Sequence, residues 1–269
     1  MGSVLTHSVL PPLDRPPIFE VACGVEFDPI RDIDPVLLGG FWREVRGEYP
    51  LRETHNEIPR LNMGFELVLG DNRPLRTWFV SANGEFVVQI QRDRFFLNWR
   101  TIGEDGRYPR FSSSSEGVLP RSVELFDKLS AFLTGAIGAA PHPRRVEVLK
   151  VDLLIEGRDW SGDDDLMTMM PILRQFCGFG PFQKPTQAFR LVEDLDGAGV
   201  ELALETLPIT PTQRHLRLTT TVRAEIALGE SFASAATRAG KVANEVFGAV
   251  ISKDECAKRF SANATGGPT

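Results

Sequence analysis

Between Ile18 and Val250 one order of elements occurs twice, and nothing else in the sequence restricts the fold as strongly. IFEVACGVEF (18–27) has the composition of a strand. Asp34 followed by Pro35 supplies an N-cap and a first-turn proline for a helix carrying Leu38, Phe41 and Val45 at helical spacing. Gly39 and Gly40 weaken that helix unless they let it approach a sheet closely. RLNMGFELVL (60–69), RTWFVS (76–81), EFVVQIQ (85–91) and RFFLNWR (94–100) then read as strands, turning at Asn83-Gly84 and Arg92-Asp93. A helix with Val123, Phe126, Leu129, Leu133 and Ile137 follows, and Pro141-His142-Pro143 ends it. The order then restarts. VEVLKVDLLI (146–155) is a strand, and Asp163 to Cys177 a helix interrupted by Pro171. AFRLVED and VELALET form a hairpin across Gly197 and Gly199, and HLRLTTTVRAEIA alternates as a long strand. The last long helix puts Phe232, Ala236, Ala239, Ala243, Val246 and Val250 on one stripe, small enough for close contact with a sheet.

The expected architecture is therefore α+β: a duplicated β-α-β-β-β-α unit, its antiparallel sheets carrying long helices on one face. A flexible arm (1–16), an N-terminal half (17–140), a C-terminal half (144–252) and a flexible tail (261–269) divide the chain. At 269 residues, 42% of them apolar and 25% charged, it can bury a full core.

Charge and cysteine usage remove several classes of function. The 36 acidic residues outnumber the 30 basic ones, which disfavours nucleic acid as a partner. Cys23, Cys177 and Cys256 form no CxxC pair, as expected of reduced thiols in a cytoplasmic protein. No membrane is expected as a partner, since neither a signal segment nor an eighteen-residue apolar run occurs. MGSVLT fits the pattern for myristoylation of Gly2, but nothing basic follows it.

Motifs for familiar chemistry are missing. His7, His55, His142 and His215 are solitary, so no metal is expected, and neither a phosphate-cradling GxxxxGK[ST] loop nor a GxSxG elbow is present. Aligned as a calcium loop, Asp194-Leu195-Asp196-Gly197 would need Val192 and Ala203 as its first and twelfth ligands, so it reads as a turn. Asp163-Asp164-Asp165 suits the unpaired donors of a helix's first turn, and Ser252-Lys253-Asp254-Glu255 has the form of a capping box. Cys177, at a helix end stopped by Gly178, reads as structural. No catalytic residue and no cofactor are expected.

The segment VVQIQRDRFFLNWR (87–100) holds the candidate site. With Arg92-Asp93 as a two-residue turn, Gln91 faces Arg94, Ile90 faces Phe95, Val88 faces Leu97 and Phe86 faces Trp99. Asn83-Gly84 adds Phe79 beside Val88 and Thr77 beside Ile90, giving an apolar face assigned to packing under helices. The other face gathers Trp78, Gln89, Phe96 and Asn98, with Arg76, Gln91, Arg94 and Arg100 around them. Aromatic, amide and guanidinium groups together suit a ligand-lined cavity or a protein interface. Coverage by the second half, with Gln89 and Asn98 satisfied internally, is the competing expectation. His215, Arg217, Thr219, Thr221 and Arg223 alternate outward in a comparable way on the long strand.

PPIFEVACGVEF (16–27), the VVQIQRDRFFLNWR hairpin and Tyr108-Pro109-Arg110-Phe111 before a helix together resemble a family of sporadically distributed, uncharacterised bacterial proteins. The likeness covers most of residues 16–140. It is fainter along 146–155, where Asp152-Leu153-Leu154 replaces a Tyr-Ile-Asn common in the family. The resemblance implies a bacterial cytoplasmic protein with a defence or mobile-element context, and supplies no catalytic residue.

Three functions stay open. The first is a non-enzymatic binding or interaction protein, taking a protein partner or small ligand through Trp78, Gln89, Phe96, Asn98 and Arg100 on a curved sheet. The second is an enzyme of unfamiliar type, setting Arg100, Asn98 and Glu26 or Glu85 around a small anionic substrate. The third is nucleic-acid binding through the Arg-rich strands. An oligomer is compatible with each.

Overall fold

The computed structural model describes residues 13–57, 75–103, 108–112, 115–173, 188–210 and 213–261. The fold is α+β, with a large antiparallel sheet and, among the described residues, nine strands and five helices. In chain order these are β1 (Ile18–Phe27), α1 (Pro35–Val45), β2 (Leu51–Asn56), β3 (Leu75–Val80), β4 (Phe86–Gln91), β5 (Arg94–Arg100) and α2 (Val118–Ile137). There follow β6 (Pro143–Ile155), α3 (Gly162–Met169), β7 (Ala188–Leu195), β8 (Ala198–Thr210), β9 (Gln213–Glu225), α4 (Phe232–Val250) and α5 (Lys253–Phe260). Two compact units divide the chain: a hairpin unit, from 22–147 and 225–236, and a long-strand unit, from 1–21, 148–224 and 237–269.

In the hairpin unit the strand order is β2-β3-β4-β5-β1. The two-residue turn fixes the β4–β5 ladder as Gln91↔Arg94, Ile90↔Phe95, Val88↔Leu97 and Phe86↔Trp99. Phe79↔Val88 and Thr77↔Ile90 continue it onto β3. Phe79, Phe86, Val88, Ile90, Phe95, Leu97 and Trp99, with Thr77, form the apolar layer, Gln91 and Arg94 point to the other face, and helices supply aromatic partners to the apolar layer. Phe41 of α1 lies 6.1 Å from Phe79, and Phe126 of α2 lies 5.6 Å from Phe95, ring centre to ring centre. Asp34 caps α1 by accepting from the Leu37 amide at 2.7 Å, and Leu38, Phe41 and Val45 turn inward. Gly40 serves a helix rather than a sheet, because a Cβ there would meet the Phe132 ring at 2.9 Å. α2 begins at Val118 and closes on Gly138, whose φ of 69° lets its amide reach the Thr134 carbonyl, ahead of the expected proline stop.

The polar segment LRETHN forms β2, a strand the sequence pattern does not announce; its residues are nearly all exposed, and all six pair with β3. RLNMGFELVL falls outside the described residues, as do Gly2, His7 and Cys177.

In the long-strand unit the order is β6-β9-β8-β7. Asp196 and Gly197, at φ 52° and 72°, make the two-residue turn that joins β7 to β8. Gly199 is not part of that turn; it pairs with Asp194 inside the ladder. Leu202, Leu204, Leu216, Leu218 and Val222 form the buried face, and the Ala236, Ala239, Ala243, Val246, Val250 stripe of α4 is buried as the spacing predicts. α3 stops at Met169, ahead of Pro171, where the sequence predicts the Asp163–Cys177 helix to be interrupted, and residues 174–177 of that prediction lie outside the described residues. Among the described residues no helix is long and apolar enough to cross a membrane.

Candidate functional site

Strand register lays the mixed face out in rows. Glu53, Trp78, Gln89 and Phe96 share one row across β2, β3, β4 and β5. The next row holds His55, Arg76, Gln91 and Arg94, since His55 faces Arg76 and Gln91 faces Arg94. A chain of hydrogen bonds links the rows: Arg76 Nη1 donates to Gln89 Oε1 at 2.8 Å, and Gln89 Nε2 donates to Asn98 Oδ1 at 2.8 Å. Gln89 is thus fixed in one amide orientation, its oxygen toward the guanidinium. The Arg76 guanidinium carbon lies 5.0 Å from the Trp78 ring centre, and the His55 ring 4.0 Å from it.

Phe96 is buried, and it depends on a missing side chain. A Cβ on Gly24 of β1 would come within 2.3 Å of the Phe96 ring and equally close to the Phe95 carbonyl oxygen. Glycine is therefore the residue that allows the ring to lie over β1.

Arg100 stands apart from this group. Its Nε donates to the Gly84 carbonyl at 3.0 Å, which ties it to the turn between β3 and β4. Of the five predicted residues, Trp78, Gln89 and Asn98 come together with Arg76; Phe96 lies beside them on Gly24, and Arg100 holds the rim.

Two residues expected around the site are instead interior. Gln91 is 1% exposed and donates to Asp93 Oδ1 at 2.8 Å. Arg94 is 6% exposed, with Asp93 at 3.4 Å and Glu26 at 3.7 Å. Glu26 gives its short contact to Arg145, at 2.7 Å. Burial first, and the Arg94 charge second, pull the Arg76 guanidinium below its ordinary pKa. Arg76 has no carboxylate partner among the described residues.

In the long-strand unit, β6 holds a polar pair that pattern reading passed over. Val146, Val148, Lys150, Asp152 and Leu154 alternate onto the buried face of β6, so two charged side chains occupy core positions. The Lys150 ammonium donates to Asn244 Oδ1 of α4. Burial lowers the Lys150 pKa to about 8, against the pull of Asp152, and raises that of Asp152 to about 7, against the pull of Lys150. An unbroken alternation with charges two apart was the signal available.

The Asp163–Asp165 run lies in the first turn of α3, as its pattern predicts, and two of its members also bind distant arginines. Asp163 Oδ1 accepts from Arg214 at 2.8 Å, and Asp165 binds Arg259 of α5 while also accepting from the Ser161 amide at 2.7 Å. Ser252 caps α5 by accepting from the Glu255 amide at 3.2 Å, but Glu255 turns to Arg259, so the box is not reciprocal. On the outward side of β9, Arg223 meets Glu201 at 3.2 Å, Arg217 meets Glu205, and Thr221 is buried.

No group of three or more metal-binding side chains is present among the described residues. Neither models of known protein families nor curated protein sequences match the chain.

Proposed function

We propose that the chain is a non-enzymatic binding protein whose ligand, a small molecule or a protein partner, is recognised on the face of Trp78, Gln89, Phe96, Asn98 and Arg100. The observation that carries this reading is the Gln89 amide, locked between Arg76 and Asn98 beside the Trp78 ring. Such a chain of hydrogen bonds presents fixed polar groups next to a flat apolar wall, the combination found in ligand sites. An enzyme built on Arg100 would need a carboxylate beside it; Glu26 is held by Arg145, and Glu85 by Asn83 at 2.7 Å. In this reading the two halves descend from one β-α-β-β-β-α unit with helices on one face, and the protein works in a bacterial cytoplasm, in a defence or mobile-element setting.

The test is a small-molecule thermal-shift screen run in parallel on the wild type and a Trp78→Ala/Gln89→Leu variant whose circular dichroism is unchanged. Compounds that stabilise the wild type are expected to leave the variant unmoved. If every hit stabilises both proteins equally, the face is not the site.

A further inference from the structure

We infer that Arg76, Arg94 and Trp78 form an oxyanion site, taking the carboxylate or phosphoryl group of a small ligand. The inference rests on the reading of this face as a binding surface and names the chemistry of what it binds.

Three solvent-shielded donors on the face, Arg76 Nε, Trp78 Nε1 and Arg94 Nε, have no hydrogen-bond partner among the described residues. Buried donors left unpaired are uncommon and destabilising, so three in two adjacent rows mark a place that an external group completes. All three are N–H groups. The complement must therefore supply acceptors.

Charge points the same way. Glu57 holds Arg92 through two contacts, at 3.0 and 3.1 Å, and Glu26 holds Arg145 at 2.7 Å. Glu53 is engaged by His55 at 2.9 Å, and Arg94 is flanked by Asp93 at 3.4 Å and Glu26 at 3.7 Å, whereas no carboxylate pairs with Arg76 among the described residues. Asp93 accepts from Gln91 at 2.8 Å and lies 3.4 Å from Arg94 Nε without forming a hydrogen bond to it. Adjacent strands are about 4.8 Å apart, so Arg76 and Arg94, with Gln91 between them in the row, stand about 10 Å apart at the backbone, a span that two arginine side chains can close onto a shared anion above Gln91. Planar guanidinium forks match carboxylate and phosphoryl oxygens. Arg94 is nine-tenths buried, which weakens solvent competition for its charge. The Trp78 ring, stacked against His55 with ring centres 4.0 Å apart, adds an aromatic edge for the body of the ligand.

The probes are benzoate and phenyl phosphate, with benzamide as the neutral shape control, titrated by calorimetry into the full chain. At least one anion is expected to bind saturably and more tightly than benzamide; which anion is tighter tells carboxylate from phosphoryl. Arg76→Met should weaken that binding about tenfold or more, the loss of a charge-assisted hydrogen bond. Trp78→Phe, which keeps a ring and removes the N–H, gives a second measure and should weaken it severalfold. The inference is overturned if no anion binds, if anions bind no better than benzamide, or if Arg76→Met and Trp78→Phe both bind as the wild type does. Benzamide binding equal to that of the anions and lost in Trp78→Ala would overturn the oxyanion site alone and keep the binding face. Stabilising compounds that are indifferent to Trp78 would remove both.

Discussion

Replacing Gly24 by alanine tests how the face is assembled. The new methyl carbon would stand 2.3 Å from the Phe95 carbonyl oxygen and 2.3 Å from Phe96 Cδ1, both far inside van der Waals contact. The ring can swing away, but the carbonyl belongs to β5 and moves only with its ladder. Overpacking a filled site costs about 1–3 kcal/mol when side chains alone adjust. With a backbone contact added, the upper end applies, about 3 kcal/mol. For a chain of this size each kcal/mol lowers Tm by roughly 2–4 °C, so a drop of about 6–12 °C is expected by calorimetry. Phe96→Ala alone removes a buried ring and should cost about 3–5 kcal/mol. In the double variant the ring clash is gone and only the carbonyl clash persists, so the two losses should fall short of additivity by about 1 kcal/mol or more. A Gly24→Ala protein melting within 1 °C (about 0.5 kcal/mol) of the wild type would refute the close approach of Phe96 to β1.

Three further perturbations probe the long-strand unit. Arg259→Met strands Asp165 and Glu255, whose contacts to Arg259 are 2.5 Å each; with the groups partly exposed, urea denaturation should show a loss of about 2–3 kcal/mol. Burial lifts Asp152 from 3.8 to about 7, so the folded chain holds this proton more tightly than the unfolded one; the contribution is complete below about pH 4 and lost as pH rises through 7. Lys150 and Cys256 surround it, and Asp152→Asn should shrink the difference in urea midpoint between pH 5 and pH 7.5; an unchanged difference would mean that Asp152 does not titrate there. Gly197→Ala forces a φ of 72° on an L-residue and should cost about 1 kcal/mol in the same assay.

What was legible in the sequence was whatever short-range rules decide. A two-residue turn and a period of two determine which of Phe86 to Trp99 face each other, and the ladder follows them pair by pair. The apolar stripe of α4 is legible for the same reason. β2 was not, because an exposed strand needs no alternation of apolar residues; LRETHN is defined by its partner β3. Gln91 and Arg94 could be placed on the mixed face but not assigned as open or covered, since alternation tells the side of a strand but not what lies over it. The partners that bury them, Asp93 and Glu26, include one from a strand some seventy residues earlier. Asp163 and Asp165 were legible in part: the run does open α3, and Asp165 does take the Ser161 amide, but their arginine partners, Arg214 and Arg259, are far along the chain. In the candidate site, composition located Trp78, Gln89 and Asn98, whereas the dependence of Phe96 on Gly24 required three-dimensional contact.

Cys23 and Cys256 are both buried free thiols, one in each compact unit. Burial raises both to about 12, so the native thiolate population is minute and alkylation waits for a local opening. Cys23 lies under α2, where the Ser122 hydroxyl donates to its carbonyl at 2.9 Å; Cys256 lies on α5. In a Cys177→Ser background the labelling rates of the two sulfurs become separate clocks, each ten times slower for every 1.4 kcal/mol of opening free energy. The chain thus carries built-in reporters of how often each of its two units breathes.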